Sequence, residues 1–155
     1  MEITFVMFKP EVLQRGLMGE LISRFERKGL KIIDITMVQL SLNFLKSHYS
    51  HLENWEYFRQ YMLHLADGPS VLMVWSGPNA VQVVRDMVGS TDPAKALPGT
   101  IRFDYGLTDQ RNLVHASATP EEAKKEIDLW FGRFFYATDW NRSLGKWIDW
   151  RETDE

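Results

Sequence analysis

Short apolar runs alternate with segments of helical periodicity along most of this chain. Residues 3–8 form an apolar run that ends at a Lys-Pro pair, which predicts a buried strand followed by a turn. Between residues 13 and 28 the apolar positions recur at helical spacing, and Gly29 is placed to end that helix. Residues 30–40 are rich in Ile, Thr and Val and predict a second strand.

The middle of the chain continues this alternation. Ser41 is placed to cap one helix, and Asn54 can cap another. A turn at residues 67–69 leads into the apolar run 71–75, which predicts a third and central strand. Residues 77–79 then open a helix whose valines form one stripe. This part of the chain therefore predicts two helices, a strand and a further helix.

The last third begins with a segment of a different kind. Residues 89–111 contain prolines and glycines without a sustained period, and a structureless loop of that length is usually functional. The fourth strand is predicted over residues 112–117. Thr119, with Pro120 at the first helical position, then starts the last helix. The Trp-rich tail from about residue 137 is too aromatic for a free tail and is expected to pack on the domain or on another subunit.

This order of elements predicts one α+β domain over residues 1–155. An antiparallel four-stranded sheet covered by helices on one side, the ferredoxin-like split βαβ arrangement, accommodates it. A parallel doubly wound sheet is the competing arrangement. It fits less well because no glycine-rich turn follows the first strand.

Composition and charge narrow the class of protein. The chain has 155 residues, 45% hydrophobic and 25% charged, as in ordinary globular proteins. A net charge of −3 argues against a dedicated nucleic-acid-binding module. The absence of cysteine excludes disulfides, thiolate zinc sites and cysteine nucleophiles. No apolar run approaches the roughly 18 residues of a membrane span. We therefore expect a soluble, cytoplasmic protein.

The fourth predicted strand carries the most telling chemistry. In an extended segment alternate side chains share a face, so Leu113, His115 and Ser117 should point the same way. Glu126 lies at the edge of the apolar stripe of the last helix, where a carboxylate needs a partner, and His115 is a candidate. This arrangement suits an activated nucleophile or a general base. Taken alone, this stretch favours a core histidine with satisfied hydrogen bonds over a catalytic one.

Cationic and hydroxyl side chains could add an anion site. Lys9 follows the first strand directly, which places its ammonium group at the rim of the sheet, and Arg85 borders the apolar stripe of its helix. Thr91 and Arg102 belong to the long loop. Each alone reads as a solvated surface residue. Together with His115 they would form a donor-rich pocket suited to a polyphosphate.

Other histidines do not make a convincing metal site. His48 and His51 are three residues apart, but no third ligand stands at a suitable spacing. We expect both, and His64, to be surface residues. The chain also lacks a Gly-rich lysine loop and the protein-kinase motifs. Any phosphate site must therefore be built from scattered side chains.

Several separated motifs, in the right order and spacing, resemble those of nucleoside diphosphate kinases, and the resemblance covers nearly the whole chain. The matching stretches are Met7-Phe8-Lys9-Pro10, Gln14-Arg15-Gly16, His48-Tyr49, Gly68-Pro69, Met73-Val74-Trp75, Thr91-Asp92-Pro93-Ala94, Pro98-Gly99-Thr100-Ile101-Arg102 and Asn112-Leu113-Val114-His115-Ala116-Ser117.

The resemblance implies a reaction and a set of roles. A γ-phosphoryl group would pass from a nucleoside triphosphate, typically ATP, to His115 and then to a nucleoside diphosphate, with ping-pong kinetics and broad base specificity. Ser117 and Glu126 would orient the imidazole, and Tyr57 would stack on the base. The residues implied to hold the phosphates and ribose are Lys9, Tyr49, Arg85, Thr91, Arg102 and Asn112.

The resemblance also implies a cofactor and an assembly. Mg²⁺ would arrive on the nucleotide phosphates, so the protein itself needs no metal ligands. Family members assemble from dimers into tetramers or hexamers, so a homo-oligomer is expected, and the aromatic tail can bear on which one forms.

Some positions depart from the family pattern and keep alternatives open. Ala116 stands where glycine is usual, and Ala118 where aspartate is usual. Tyr57 replaces phenylalanine, Asp109 replaces an apolar residue beside the base, and Phe103 replaces a glycine. One alternative is thus a nucleotide-binding or scaffolding relative without turnover. Another is a sheet-based RNA-binding domain, against which the negative net charge speaks.

Overall fold

Four strands form one antiparallel sheet with the order β2-β3-β1-β4. The structure is a computed structural model that describes residues 1–132, apart from the side chains of residues 47, 48 and 51. The strands are β1 (Glu2–Phe8), β2 (Lys31–Gln39), β3 (Pro69–Gly77) and β4 (Val114–Ala116). Strand β1 pairs along its whole length with residues 71–77 of β3, and β2 and β4 lie outside them. The predicted fold class and the central third strand are confirmed.

Helices connect the strands of the described residues. They are α1 (Pro10–Gln14), α2 (Met18–Arg27), α3 (Leu42–His48), α4 (Phe58–Ala66), α5 (Ala80–Val88), α6 (Ile101–Tyr105) and α7 (Pro120–Trp130). Short 3₁₀ turns lie at Ser50–Leu52 and Pro93–Lys95. None of the helices in residues 1–132 is long and apolar enough to cross a membrane.

Helices cover both faces of the sheet, so the prediction of a one-sided cover is wrong. Val6 and Phe8 of β1 belong to an apolar cluster with α1, α2, α5 and α6. Phe5 and Met7, which alternate with them, pack in a second cluster with α3, α4 and α7. The physical reason is visible in the strand itself. Successive apolar positions point to opposite faces, and both faces must then be shielded from water.

The first predicted helix is two helices. Gly16 has φ +66° and separates α1 from α2. A positive φ is readily available to glycine and breaks helical geometry at that residue. The Leu17 N–H returns to the Val12 carbonyl at 2.9 Å across this break. Helical spacing of the apolar residues persists across it, which is why the pattern alone predicted one continuous element.

Asn54 does not cap the fourth helix. That helix begins at Phe58, its N-cap is Tyr57, and no side chain caps it. Backbone bonds fold the preceding residues into turns, with the Trp55 N–H donating to the Leu52 carbonyl at 2.9 Å. Main-chain hydrogen bonds therefore organise this segment, and the Asn54 side chain does not cap the helix.

The segment 89–111 was expected to be structureless, and it contains a 3₁₀ turn and α6 instead. Asp92 and Thr100 begin these elements, their side chains accepting from the backbone N–H groups of Ala94 and Phe103 at 3.0 and 3.3 Å. Gly89 opens the segment with φ +87°, and a Cβ there would lie 2.5 Å from Thr100 Oγ1. Local capping therefore orders a segment that has no hydrophobic period.

The fourth strand is shorter than predicted. It spans Val114–Ala116, because Leu113 has φ +72° and leaves the extended conformation. The helix after it starts as predicted, with Thr119 Oγ1 accepting from the Glu122 N–H at 3.1 Å and Pro120 at the first helical position. The aromatic tail from about residue 137 lies outside the described residues, so the predicted extent of the domain over residues 1–155 stays a prediction.

Candidate active site

A cavity of about 590 Å³ opens beside β4, within the size range of small-molecule sites. Its walls come from the end of β1, from β4, from α5 and α7, and from the segment after α5. The lining residues are Lys9, Tyr49, Leu52, Trp55, Tyr61, Arg85, Val88, Gly89, Ser90, Thr91, Arg102, Asp109, Asn112, Val114, His115, Ala116, Ala118, Glu122 and Glu126. Cationic groups and aromatic rings thus share one concave surface.

His115 lies in this cavity, and hydrogen bonding to Glu126 holds its ring in place. Strand pairing places it opposite Met7 of β1. Its Nε2 lies 2.5 Å from Glu126 Oε1, and Ser117 Oγ donates to Glu126 Oε2 at 2.5 Å. The histidine side chain is 26% exposed and the glutamate 12%. Both carboxylate oxygens are therefore engaged in a set of side chains that orients the imidazole.

This hydrogen bond selects one form of the ring. When Nε2 carries its proton toward the Glu126 carboxylate, the neutral His115 ring has its lone pair on Nδ1. The carboxylate also stabilises positive charge that develops on the ring. In this form Nδ1 is the ring nitrogen that carries an available lone pair.

Lys9 is buried rather than at an open rim. Its side chain is 3% exposed, and Nζ donates to Asn112 Oδ1 at 2.7 Å and to the Gln110 carbonyl at 3.2 Å. The ammonium also lies 4.8 Å from the centre of the Tyr61 ring. Burial, opposed by Glu11 and assisted by Arg102, lowers the pKa of Lys9 to about 8. An anionic ligand would stabilise this charge.

Arg102 is held by main-chain carbonyls from neighbouring segments. Its guanidinium donates to the carbonyls of Gly89, Asn112 and Val114 at 2.9, 3.3 and 2.6 Å. Burial lowers its pKa, Tyr61 opposes this effect, and the nearby Arg85 lowers it further. Arg102 therefore fixes the loop around the histidine and places positive charge at the cavity wall.

The other predicted anion contacts differ in exposure. Arg85 and Thr91 are exposed residues that line the cavity. Asn112 is buried, and its Nδ2 donates to the carbonyls of Thr91 and Asp109 at 3.0 and 2.8 Å. Asn112 thus ties the segment after α5 to the strand that carries His115.

Aromatic side chains form the other end of the cavity. Tyr49 is buried with its ring edge on Tyr61, the centroids 5.9 Å apart, and burial raises the pKa of its phenol. Trp55 and Leu52 complete this wall. Tyr57 is 41% exposed and lies outside the lining, edge-on to Trp55 at 5.8 Å. The predicted aromatic surface is present, with Trp55 rather than Tyr57 facing the cavity.

Sequence reasoning missed some functional neighbours. Trp55 and Tyr61 are aromatic residues close to Tyr57, and that clustering was the available signal. His64 was expected on the surface, yet its side chain is 13% exposed and bonds Glu11. No local spacing relates His64 to Glu11, because they lie on different helices. Only the packed structure reveals this pair.

Metal ligation by the protein has no support among the described residues. No group of three or more His, Asp or Glu side chains there could hold a metal ion. The side chains of His48 and His51 lie outside the described part, so their predicted surface position stays a prediction. The cationic donors around His115 fit the oxygens of phosphate groups instead.

Comparison with known proteins gives a consistent family. The family model described as nucleoside diphosphate kinase matches residues 2–134. A nucleoside diphosphate kinase of Symbiobacterium thermophilum is 43% identical, covering 96% of this chain and 97% of that protein. One from Archaeoglobus fulgidus is 45% identical over the same shares.

Solved structures agree with the sequence comparison. A halophilic nucleoside diphosphate kinase from Halobacterium salinarum, solved in complex with CDP, superposes with a TM-score of 0.85. It is 37% identical, and the match covers 96% of this chain and 98% of that one. The similarity therefore extends over both the sheet and the helices that surround the cavity.

Proposed function

The chain belongs to the nucleoside diphosphate kinase family, and we propose that it transfers the γ-phosphoryl group of a nucleoside triphosphate to a nucleoside diphosphate through His115. One observation carries the assignment of the site. His115 opens into a cavity lined by Lys9, Arg85 and Arg102, while its Nε2 is committed to Glu126. A nucleophile is thereby set among fixed positive charges.

The reaction divides into two half-reactions that are the reverse of each other. The Nδ1 lone pair of His115 forms a bond to the γ-phosphorus as the bond from that phosphorus to the β,γ-bridging oxygen breaks. The electrons of the broken bond leave on the diphosphate, and Glu126 stabilises the charged ring. A terminal phosphate oxygen of the second diphosphate then attacks, and the P–N electrons return to Nδ1. Ping-pong kinetics follow.

Glu126 is proposed to orient His115 and to stabilise its charged form. Replacing Glu126 by Ala removes a hydrogen bond to a charged group, worth about 1.5–3 kcal/mol. We expect kcat to fall by about tenfold to a hundredfold, with smaller changes in KM. Asp128→Ala, an exposed carboxylate of the same helix, is the matched control and should leave kcat unchanged. Equal losses in the two variants would contradict an orienting role.

The phosphate groups are proposed to lie at the cationic end. Lys9, Arg85 and Arg102 supply charge, while Thr91 and Asn112 supply neutral polar groups. Phosphoryl transfer requires little covalent chemistry from the protein, so fixed donors around the transferring group account for most of the rate. The hydrogen bonds that already hold Lys9 and Arg102 reduce the reorganisation needed on binding.

Lys9 should give activity an alkaline limit. As the pH rises through about 8, Lys9 of the free enzyme loses its proton and its attraction for phosphate. We expect kcat/KM to fall above that pH, with the limb absent in Lys9→Arg, since arginine stays charged. The measurement is kcat/KM from pH 6.5 to 9.5. Residual activity of Lys9→Arg that declines in parallel with wild type would contradict this assignment.

The free energy of unfolding should rise with pH over the range in which kcat/KM falls. The folded-state pKa is about 8 and the ordinary value is 10.5, so between them the unfolded chain binds more protons. Burying the charged lysine opposes folding fully below pH 8, and this cost is lost as the pH rises through the window. The free energy of unfolding of wild type should rise relative to Lys9→Met from pH 8 to 10.5.

The base is proposed to lie at the aromatic end. Trp55, Tyr49 and Tyr61 line the cavity at this end, and Tyr57 lies outside the lining with its ring edge-on to Trp55. Stacking is tolerant of sequence because every base has a π-face, so broad base specificity is expected. Asp109, which also lines the cavity, replaces an apolar surface by a carboxylate.

Magnesium is proposed to enter with the nucleotide. The cation-rich wall around His115 suits phosphate oxygens, and a divalent cation carried by the nucleotide would neutralise charge that develops during transfer. Activity should therefore disappear with excess EDTA and return with added Mg²⁺. The location we propose is the cytoplasm, where nucleoside di- and triphosphates are abundant.

A homo-oligomer is proposed as the working form. Strand β2 is an edge of the sheet with Ile35 and Met37 exposed, and Leu97 and Leu107 are exposed around α6. Exposed edges and apolar residues of this kind are commonly covered by another subunit. Light scattering should give the mass of a tetramer or hexamer, and a monomer at micromolar concentration would contradict the proposal.

The central test is the exchange reaction with its intermediate. Wild type incubated with labelled ATP and Mg²⁺ should form an acid-labile phosphoenzyme and pass the label to an added diphosphate. A scaffolding relative, the reading suggested by Ala116 and Ala118, would bind nucleotide calorimetrically without exchange. In the structure Ala116 and Ala118 line the cavity, while the His115, Glu126 and Ser117 contacts stay complete.

A further inference from the structure

A buried carboxylate beside the cavity has no part in the proposed chemistry. Glu11 of α1 is 7% exposed, and it does not line the cavity that holds His115. Its two oxygens have different partners. Oε1 accepts from the Leu113 backbone N–H at 2.9 Å, and Oε2 bonds Nε2 of His64 on α4. A buried carboxylate with two specific donors is held in one place.

Leu113 needs that support because its backbone is strained. It is fully buried with φ +72°, and the Val114 N–H donates to the Asn112 carbonyl at 2.8 Å across it. A three-residue turn with positive φ is rare, and it persists only when its surroundings enforce it. Leucine, unlike glycine, pays a steric penalty in this region.

Lys9 and Glu11, at the start of α1, bind both backbone polar groups of Leu113. The Glu11 carboxylate accepts from the Leu113 N–H, and the Lys9 backbone N–H donates to the Leu113 carbonyl at 2.9 Å. The turn therefore cannot relax without breaking bonds to two residues of the β1–α1 junction. Its geometry is set from more than a hundred positions away in sequence.

The clamped turn lies between two parts of the proposed site. Asn112, directly before it, holds the Lys9 ammonium at 2.7 Å. Val114, directly after it, presents the carbonyl that binds Arg102, and His115 follows. A change at Leu113 would therefore turn the asparagine and the histidine relative to each other.

On this geometry, and resting on the function proposed above, we propose that Glu11 and His64 are a positioning pair for the phosphotransfer. Glu11 holds Leu113 in its strained turn, and His64 holds the Glu11 carboxylate. Neither side chain touches the transferred group. Their effect reaches the reaction through the direction in which His115 and Asn112 project.

The charge state of Glu11 agrees with this role. Burial raises the pKa of Glu11, but the hydrogen bond and charge of His64, the Leu113 N–H and the charge of Lys9 together lower it below the ordinary value. The carboxyl group is then ionised at neutral pH, and an ionised acceptor binds a backbone N–H more strongly than a neutral one.

His64→Leu tests the proposal while leaving Glu11 and Leu113 in the chain. We expect the single-turnover rate of phosphoenzyme formation to fall about tenfold, because small displacements of reacting groups reduce rates steeply. The nucleotide Kd should stay within twofold of wild type. His64→Gln, which retains an N–H donor, should recover most of the rate. Assays run well below the Tm of each variant, so lost stability does not enter the rate.

A double variant of His64 and Glu11 provides the second part of the test. If His64 acts through the carboxylate, His64→Leu should cause no further loss in a Glu11→Ala background. Should His64→Leu fail to fold, His64→Asn, polar but too short to reach Oε2, takes its place with the same expected outcome. Wild-type phosphorylation rates in these variants, or losses that multiply in the double variant, would overturn the proposal.

Failure of this proposal is distinct from failure of the proposed function. A wild type that forms no phosphoenzyme removes the function itself. A wild type that forms it, together with His64 variants of equal rate, leaves the function intact and assigns the pair to folding alone.

Discussion

An enzyme carrying His115→Ala should form no phosphoenzyme and should lose at least about four orders of magnitude in kcat, as removal of a covalent nucleophile does elsewhere. The Nδ1 atom of His115 is the proposed attacking group, and alanine offers no nitrogen in its place. Lys9, Arg85 and Arg102 remain, and Lys9 and Arg102 keep their hydrogen-bond partners. ADP affinity should therefore stay within a few-fold of wild type.

The measurement combines labelled ATP with calorimetry. Wild type should take up one acid-labile phosphate per chain, His115→Ala none, and both should bind ADP. His64→Leu is the matched control, because it removes an imidazole outside the cavity. It should reach full stoichiometry at a lower rate. Acid-labile phosphate on the His115→Ala chain at comparable stoichiometry would place the nucleophile elsewhere.

The second large effect is expected for Lys9→Met. Loss of one fixed charge next to developing negative charge costs about a hundredfold to a thousandfold in rate. Methionine keeps much of the length of the side chain, and the change leaves Asn112 Oδ1 without its 2.7 Å donor. We expect kcat/KM for ATP to fall in that range, with the larger part of the loss in kcat.

Stability should not follow activity in this variant. Lys9 is 3% exposed, and burial lowers its pKa to about 8, so the charged form is unfavourable in the folded protein. An apolar group of similar shape removes that cost, and the Tm should stay level or rise at neutral pH. Lys95→Met, at a lysine whose side chain is 78% exposed, is the matched control and should change neither quantity. A large fall in Tm would instead mean that Lys9 mainly supports the fold.

Site and scaffold meet at the junction of β1 and α1. Lys9 and Glu11, two residues apart, bind the backbone carbonyl and the backbone N–H of Leu113, and the Lys9 side chain also donates to Asn112. Strain at Leu113 is thus confined to one turn and held by groups that are themselves buried. Strained backbone of this kind concentrates at functional sites, where it fixes side chains in productive directions.

Much of the fold could be predicted because the spacing of apolar residues indicates which segments form strands and which form helices. Continuous apolar runs in β1 and β3 indicated inner strands, and Thr119-Pro120 indicated the start of α7. Boundaries were less accurate where single backbone angles decided them. Gly16 divided the first helix, and Leu113 shortened the fourth strand. Such backbone angles depend on hydrogen bonds from distant segments, and the spacing of apolar residues within a segment gives no information about them.

The sequence by itself determined the family, the antiparallel sheet and the histidine as the group to examine, since these follow from motifs and periodicity within short segments. Only the tertiary structure decided how buried Lys9 is, which carbonyls hold Arg102, that Trp55 faces the cavity, and that His64 supports Glu11. The physical reason is that burial and hydrogen-bond partners are properties of packed neighbours. Those neighbours come from segments as much as a hundred residues apart or more, brought together when both faces of the sheet are covered.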